Sequence, residues 1–226
     1  IEDARRYARL SEALARYAGF DSREGRLFTP IDVAAERGVD VFVLDGSSGR
    51  VIRLDRDLRG QSVIFAAAGD RFGGFAPYAG IALDHESGDI LLSNRSEGVL
   101  TRLDFTGRTS RVAGGFGSVK QSLRDPAGLD AAPDGAVFVA DRGVKAVACA
   151  PRFGAEIRLI GAGLLQSPVD AAALGDSRVA VADARGVVVF DRSGTALGMA
   201  GFGIGPEIAP RSVAFHDGRL YVADAR

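Results

Sequence analysis

The sequence predicts an all-β chain of radially repeated four-stranded sheets, on three observations. Proline-led segments recur at Pro30, Pro77, Pro126, Pro168 and Pro210. Each opens a short apolar run, then a tight polar turn, then a second apolar run ending in an acid or amide. The chain stops at "RLYVADAR", partway through a unit that continues elsewhere as "RVAVADARGVVVFD". Four short strands at a period of roughly 40–50 residues is the pattern of a propeller blade, and one such unit alone cannot bury both its faces. The reading is a single-domain, five-bladed β-propeller of four-stranded antiparallel blades.

The first strands of the units are "IDVAA", "YAGIALD", "AGLDAA", "VDAAAL" and "RSVAF". The turns after them, "ERGVD", "HESGD", "PDGA", "GDSR" and "HDGR", are rich in Gly and Asp, which accept turn conformations that β-branched residues resist. Second strands end at Asp45, Asn94, Asp141, Asp183 and Asp224. In four units a third strand follows, "RVIRLD", "VLTRLD", "KAVACA" and "GVVVFD". A fourth comes next: "SVIFAAAG", "TSRVAGG", "EIRLIGAG" and "ALGMAGFG". The blades span about residues 28–69, 76–118, 125–163 and 167–205, with a fifth begun at 209–226.

The fifth unit has only its first two strands. At the other end of the chain, "RRYARL" matches a third strand and "ALARYAGF" a fourth. Residues 1–20 are therefore expected to complete the last blade, so that the two termini close the ring and remove its open edges. A rival is a helix over residues 3–18, since Tyr7, Leu10, Leu14 and Tyr17 fall at helical spacing. The strand reading is preferred because it accounts for both ends at once.

Lys plus Arg number 28 and Asp plus Glu 29, for a net charge of −1. A general nucleic-acid binder needs a basic field, so that class is set aside. No apolar run approaches the ~18 residues of a transmembrane span. The one cysteine, Cys149, lies in the apolar run "KAVACA" and reads as a small buried thiol. The first residue is Ile1 rather than Met; a removed leader would place the protein outside the cytoplasm, periplasmic or secreted.

The units resemble NHL repeats. The fullest match is "TPIDVAAERGVDVFVLDGSSGRVIRLD", residues 29–55: a proline, an apolar strand, a turn, a strand ending in Asp, then Gly-Arg opening the next strand. "DPAGLDAAPDGAVFVADRG" and "APRSVAFHDGRLYVADAR" match the first half. The resemblance covers essentially the whole chain. It implies a propeller, usually of six blades in that family against five here. It also implies a scaffold for protein or nucleic-acid contacts, a receptor sensor, or in some relatives a metal-dependent lyase or lactonase. The fold alone does not choose among these.

The lyase relatives would need several histidines, but only His85 and His216 exist, at first-strand turns of non-adjacent blades, and both read as surface residues. For a lactonase-like cation the weak candidates are Asp32 and Asp170, and two carboxylates leave a hard cation short of oxygens. No metal or other cofactor is therefore expected, and no catalytic residue is assigned. The acid closing each second strand reads first as a turn cap and second as a ring of ligands. Beside it, Arg50, Arg95, Arg142 and Arg185 either pair with those acids or line a rim for a small anion. "GSSG" at 46–49 lacks a hydrolase elbow, and the glycine-rich "GGFG" and "GFGIG" precede no helix that would hold a phosphate.

The second-to-third and fourth-to-first connections share one face, because successive strands are antiparallel. The least uniform of them bring Arg71, Phe72, Phe75, Tyr78, Phe116, Lys120, Gln121 and Arg124 together on adjacent blades. Mixed Arg and aromatic residues are what protein-binding hot spots use; the alternative for Phe72 and Phe116 is a plug between blades. The expected function is a non-catalytic module that binds a protein or peptide through this rim. The alternatives are a metal-dependent propeller lyase or lactonase-type hydrolase, and a small-anion or carbohydrate sensor.

Overall fold

A computed structural model describes residues 29–35, 40–46, 49–55, 61–66, 78–104, 106–115, 123–152, 156–175, 177–184, 186–200 and 209–225. Every regular element among them is a β-strand, and no helix there is long and apolar enough to cross a membrane. Residues 1–20, expected to finish the last blade, lie outside the described residues. The chain divides into two compact units, Ile1–Tyr78 and Ala79–Arg226.

The first unit holds one antiparallel sheet of β1 (Pro30–Ala35), β2 (Val41–Asp45), β3 (Arg50–Leu54) and β4 (Gln61–Ala66), in that order. Its core is Val43, Ile52 and Leu54, with Val41 packed against them. Ile31 and Val33 on β1 are exposed.

The second unit repeats the same meander. One sheet comprises β5 (Tyr78–Leu83), β6 (Ile90–Asn94), β7 (Val99–Leu103) and β8 (Thr109–Gly114). The next comprises β9 (Pro126–Ala131), β10 (Val137–Asp141), β11 (Ala146–Ala150) and β12 (Arg158–Ile160). A third comprises β13 (Asp170–Ala173), β14 (Arg178–Asp183), β15 (Gly186–Asp191) and β16 (Ala196–Ala200). β17 (Pro210–His216) and β18 (Arg219–Asp224) form a two-stranded sheet among the described residues. The eighteen strands among the described residues fall on segments that the repeat assigned as strands.

Side chains alternate across a strand, and here both faces are buried. Val137 and Val139 of β10 join Leu91, Leu100 and Leu129 in the core toward the preceding sheet. Phe138 and Ala140, one residue out of phase, join Val179, Val181 and Phe190 toward the following sheet. Val179 and Val181 of β14 share that second core, while Ala180 and Ala182 turn to Val187 and Val213 beside the two-stranded sheet. This explains the near-continuous apolar text of "VFVA" and "AVACA", in which Cys149 is buried. Each fully buried Phe, such as Phe138 or Phe190, contributes about 1.5–3 kcal/mol.

Sheets of the second unit meet closely through first strands: β13 lies against both β9 and β17, and β9 also lies against the second strand β6. Gly128 N–H donates to Val169 O at 3.0 Å, and Ser93 Oγ donates to Ala127 O at 2.6 Å, so backbone is tied to the neighbouring sheet. No side chain fits where the strands come closest. A Cβ on Gly80 would stand 2.7 Å from Ala127 O, and one on Gly128 would stand 2.0 Å from Asp170 Oδ1.

Gly128→Ala is therefore expected to destabilise the fold by about 1–3 kcal/mol, the usual cost of overpacking. Gly198→Ala on β16, whose Cβ would meet nothing within 4 Å, should stay within about 0.5 kcal/mol of wild type. Urea unfolding of the two variants checks the contrast.

Candidate functional site

The repeated acid organises the face that carries the second-to-third turns. Asp141, 0% exposed, accepts four backbone N–H bonds: from Arg124 at 2.7 Å, Asp125 at 3.0 Å, Gly143 at 2.9 Å and Val144 at 3.3 Å. The first two come from the connection entering β9, the last two from the turn leaving β10. Asp183 does the same for Gln166 and Ser167 (2.9 and 2.7 Å), Asp45 for Thr29 (3.2 Å) and Asp224 for Ala209 (3.0 Å). Asn94 caps its own turn, accepting from Ser96 Oγ and Glu97 N–H. These groups spend their oxygens on backbone, as turn caps do.

The arginines beside them are paired. Arg50 lies 3.6 Å from buried Asp45. Arg95, on the β6–β7 turn, places Nε 2.9 Å from Asp125 Oδ1. Arg142, on the β10–β11 turn, places Nε 3.0 Å from Asp125 Oδ2 and donates through a terminal nitrogen to Oδ1 at 3.1 Å. Two guanidiniums from successive sheets thus bracket one half-exposed carboxylate. Arg124, next in sequence, is exposed. The sequence reading named the three arginines but missed Asp125, which precedes the blade-opening Pro126 and reads as turn composition.

Of the other expected rim residues, Tyr78 is half-buried, its ring edge-on to Phe65 at 5.7 Å between centroids. Arg71, Phe72, Phe75, Phe116, Lys120, Gln121 and Arg185 lie outside the described residues.

The opposite face carries a second ionic system that the sequence reading did not identify. Arg152, after β11, reaches back to Asp84 (3.6 Å) and Glu86 on the preceding sheet. Arg192, after β15, reaches back to Asp134 at 2.5 Å. Arg102 pairs within its own sheet with Asp84 at 3.3 Å and Asp89 at 3.7 Å. Burial works to raise Asp84, but the Glu86 N–H, the Ser87 hydroxyl and the Arg152 and Arg102 charges outweigh it and hold its carboxyl below the usual range. The signal was present: an Arg just past the third strand, facing an acid on the first hairpin turn one unit earlier.

Two carboxylates sit between first strands. Asp130 of β9 accepts from Ala131 N–H at 2.8 Å and, across the sheet gap, from Ala173 N–H at 2.9 Å. Asp170 of β13 accepts from Ala171 N–H at 2.9 Å and, across the next gap, from Ser212 Oγ at 2.6 Å and Val213 N–H at 2.9 Å. Burial raises the pKa of each to about 6 against those hydrogen bonds. His85 faces Asp130 and draws it down, while Asp130 itself pushes Asp170 up. Asp32, the other expected cation candidate, is half-buried on β1 and accepts from Val33 N–H at 2.8 Å. His85 and His216 are exposed, the latter 3.4 Å from Asp217. Among the described residues no group of three or more His, Cys, Asp or Glu is placed to hold a metal ion.

No family model matches the sequence, and no curated protein matches it either. Solved structures do share the fold. A gluconolactonase from Xanthomonas campestris superposes with a TM-score of 0.68 at 18% identity, over 87% of this chain and 70% of its own. A structure of the nidogen/laminin complex gives 0.67 at 18% identity, over 86% of this chain and 72% of that one. A virginiamycin B lyase from Staphylococcus aureus gives 0.66 at 11% identity, over 91% of this chain and 65% of its own. These are β-propellers, and at such identities the likeness is one of fold: the chain has a β-propeller fold. That fold is shared by enzymes and by a protein-binding module alike.

The raised carboxyls set a sign for pH dependence. A group that holds its proton up to about pH 6 when folded, but only to pH 3.8 when unfolded, makes the folded state bind more protons between those values. Its contribution to stability therefore falls as pH rises through that window. Denaturant unfolding at pH 4.5 and 7.5 should show Asp130→Asn losing less stability over this rise than wild type.

Proposed function

We propose that the chain is an NHL-like propeller that captures a protein or peptide partner through the face bearing the second-to-third turns. The observation that carries this reading is the cationic cluster there. Arg95 and Arg142 share the single carboxylate of Asp125, and exposed Arg124 stands beside them on the same backbone platform. Arginine at a rim supplies both charge and planar hydrogen-bonding area, as interface hot spots do. The proposal includes an extracytoplasmic setting.

The five-bladed ring belongs to the same proposal, closed by residues 1–20 as the third and fourth strands beside β18. Its support is the contrast between four-stranded sheets and the two-stranded β17–β18 sheet among the described residues. Deleting residues 1–20 should then lower the melting temperature by several degrees, the shift that follows a loss of about 1–2 kcal/mol.

A second reading is a lactonase- or lyase-type enzyme, favoured by the fold shared with the gluconolactonase and the virginiamycin B lyase. Stoichiometric calcium or zinc in the purified protein would move the assignment to it.

For the binding reading, reversing the charge of Arg71, Lys120 and Arg124 together should abolish partner capture in affinity purification from the native source and leave the melting temperature unchanged. Undiminished capture would rule out this rim. Loss of both capture and melting temperature would make those residues structural.

A further inference from the structure

We infer that Arg95 and Arg142 form a receiving site for a carboxylate side chain of an acidic peptide, with Asp125 as the resident group that holds both guanidiniums ready. This rests on the rim reading above and gives it a ligand chemistry.

The platform is rigid. Asp141 lies fully buried beneath it and fixes the amides of Arg124 and Asp125 on one side and of Gly143 and Val144 on the other. Arg142 N–H also donates to Asp125 O at 3.0 Å. Arg142 and Asp125 therefore project from backbone that is already set, which removes much of the ordering cost a flexible surface would incur on binding. Arg95 arrives from the neighbouring sheet on a turn capped by Asn94.

The charges do not balance within the cluster. Two guanidiniums meet one carboxylate, and exposed Arg124 and Lys145 lie on the same connection and turn. Among the described residues, neither Arg124 nor Lys145 takes part in an ion pair. The other acids here are exposed Glu97 and buried Asp141, whose oxygens are taken by backbone N–H groups, so four cations stand against three carboxylates. Arg95 is 48% exposed and approaches Asp125 through Nε at 2.9 Å, with no hydrogen bond from its terminal nitrogens among the described residues. A guanidinium edge takes a carboxylate in a planar, two-bond fork. Arg142 engages Asp125 with one hydrogen bond, from a terminal nitrogen to Oδ1 at 3.1 Å, while its buried Nε lies 3.0 Å from Oδ2 without a hydrogen-bond partner. The resident carboxylate thus displays the charge that the incoming one would repeat.

The test is fluorescence anisotropy with the intact chain and a fluorescein-labelled peptide of eight glutamates. Comparison probes are a serine peptide of equal length, its phosphoserine counterpart and a single-stranded oligonucleotide, with free glutarate as competitor. The glutamate peptide is expected to bind, and to bind more weakly as salt is raised. Arg95→Ala and Arg142→Ala should each weaken it roughly tenfold, the scale of a lost hydrogen bond to a charged group. Asp125→Asn keeps an acceptor oxygen but removes the competing charge, so it should tighten binding by about threefold, a change that a merely structural Asp125 would not produce. Arg95, half-exposed, is the arm least open to folding effects, and melting curves accompany each variant. The inference is overturned if the glutamate peptide does not bind, if Arg95→Ala leaves it unchanged, or if phosphopeptide, oligonucleotide or glutarate binds more tightly. Native-partner capture that needs Arg124 but tolerates Arg95→Ala would remove this site while leaving the rim reading in place.

Discussion

A meander of four strands cannot form a stable layer until its first strand is fixed to the rest, and in this chain the buried acid at the end of the second strand does that. Buried Asp141, Asp183 and Asp45 each accept N–H groups from the residues that lead into the first strand, and exposed Asp224 does the same on the two-stranded sheet. Burying a carboxylate is costly unless its lone pairs are filled. Four N–H partners at Asp141 fill them, and the same bonds satisfy amides that a connection between sheets would otherwise leave unpaired. Everything on that face, including the placement of Arg142 and Asp125, inherits its position from this bond set.

With the entry fixed, packing does the rest. The middle sheets bury both faces, so residues one apart in β10 and β14 belong to different cores. Small side chains are needed where the first strands converge, which is why alanine and glycine dominate "AGLDAA" and "VDAAAL". The ionic pairs of the opposite face, Arg152 to Asp84 and Arg192 to Asp134, then join the β9–β12 and β13–β16 sheets each to the sheet before it. Arg152 and Arg192 are each less than one-third exposed, so these bridges gain more than fully solvated pairs do.

What was legible in the sequence was what repeats. Strands β9 and β10, the turn at Asp134–Gly135 and the acid Asp141 each recur in register, so periodicity located them without reference to other parts of the chain. Asp130 was not legible. Its role depends on a gap between β9 and β13 narrow enough for its carboxylate to reach Ala173 N–H, and no spacing within one unit encodes that distance. Asp170 was singled out as a cation candidate, yet its oxygens are engaged by Ser212 and Val213 on the next strand, partners that lie a full repeat away. Asp125 escaped notice because its meaning comes from two arginines in different units.

The same facts bear on where this fold could carry out chemistry. The close approach of first strands leaves no room for a side chain at Gly80 or Gly128. The acids in that region, Asp130 and Asp170, have both oxygens engaged by backbone N–H groups or a hydroxyl. A ligand there would have to displace bonds that hold adjacent sheets together. On the turn-bearing face the structural work is done one layer down, by Asp141, and the groups above it retain unused donors. The binding proposed at Arg95 and Arg142 would cost the fold only a rearrangement of half-exposed side chains. That difference in cost, rather than the fold class, is the reason recognition is proposed on the rim.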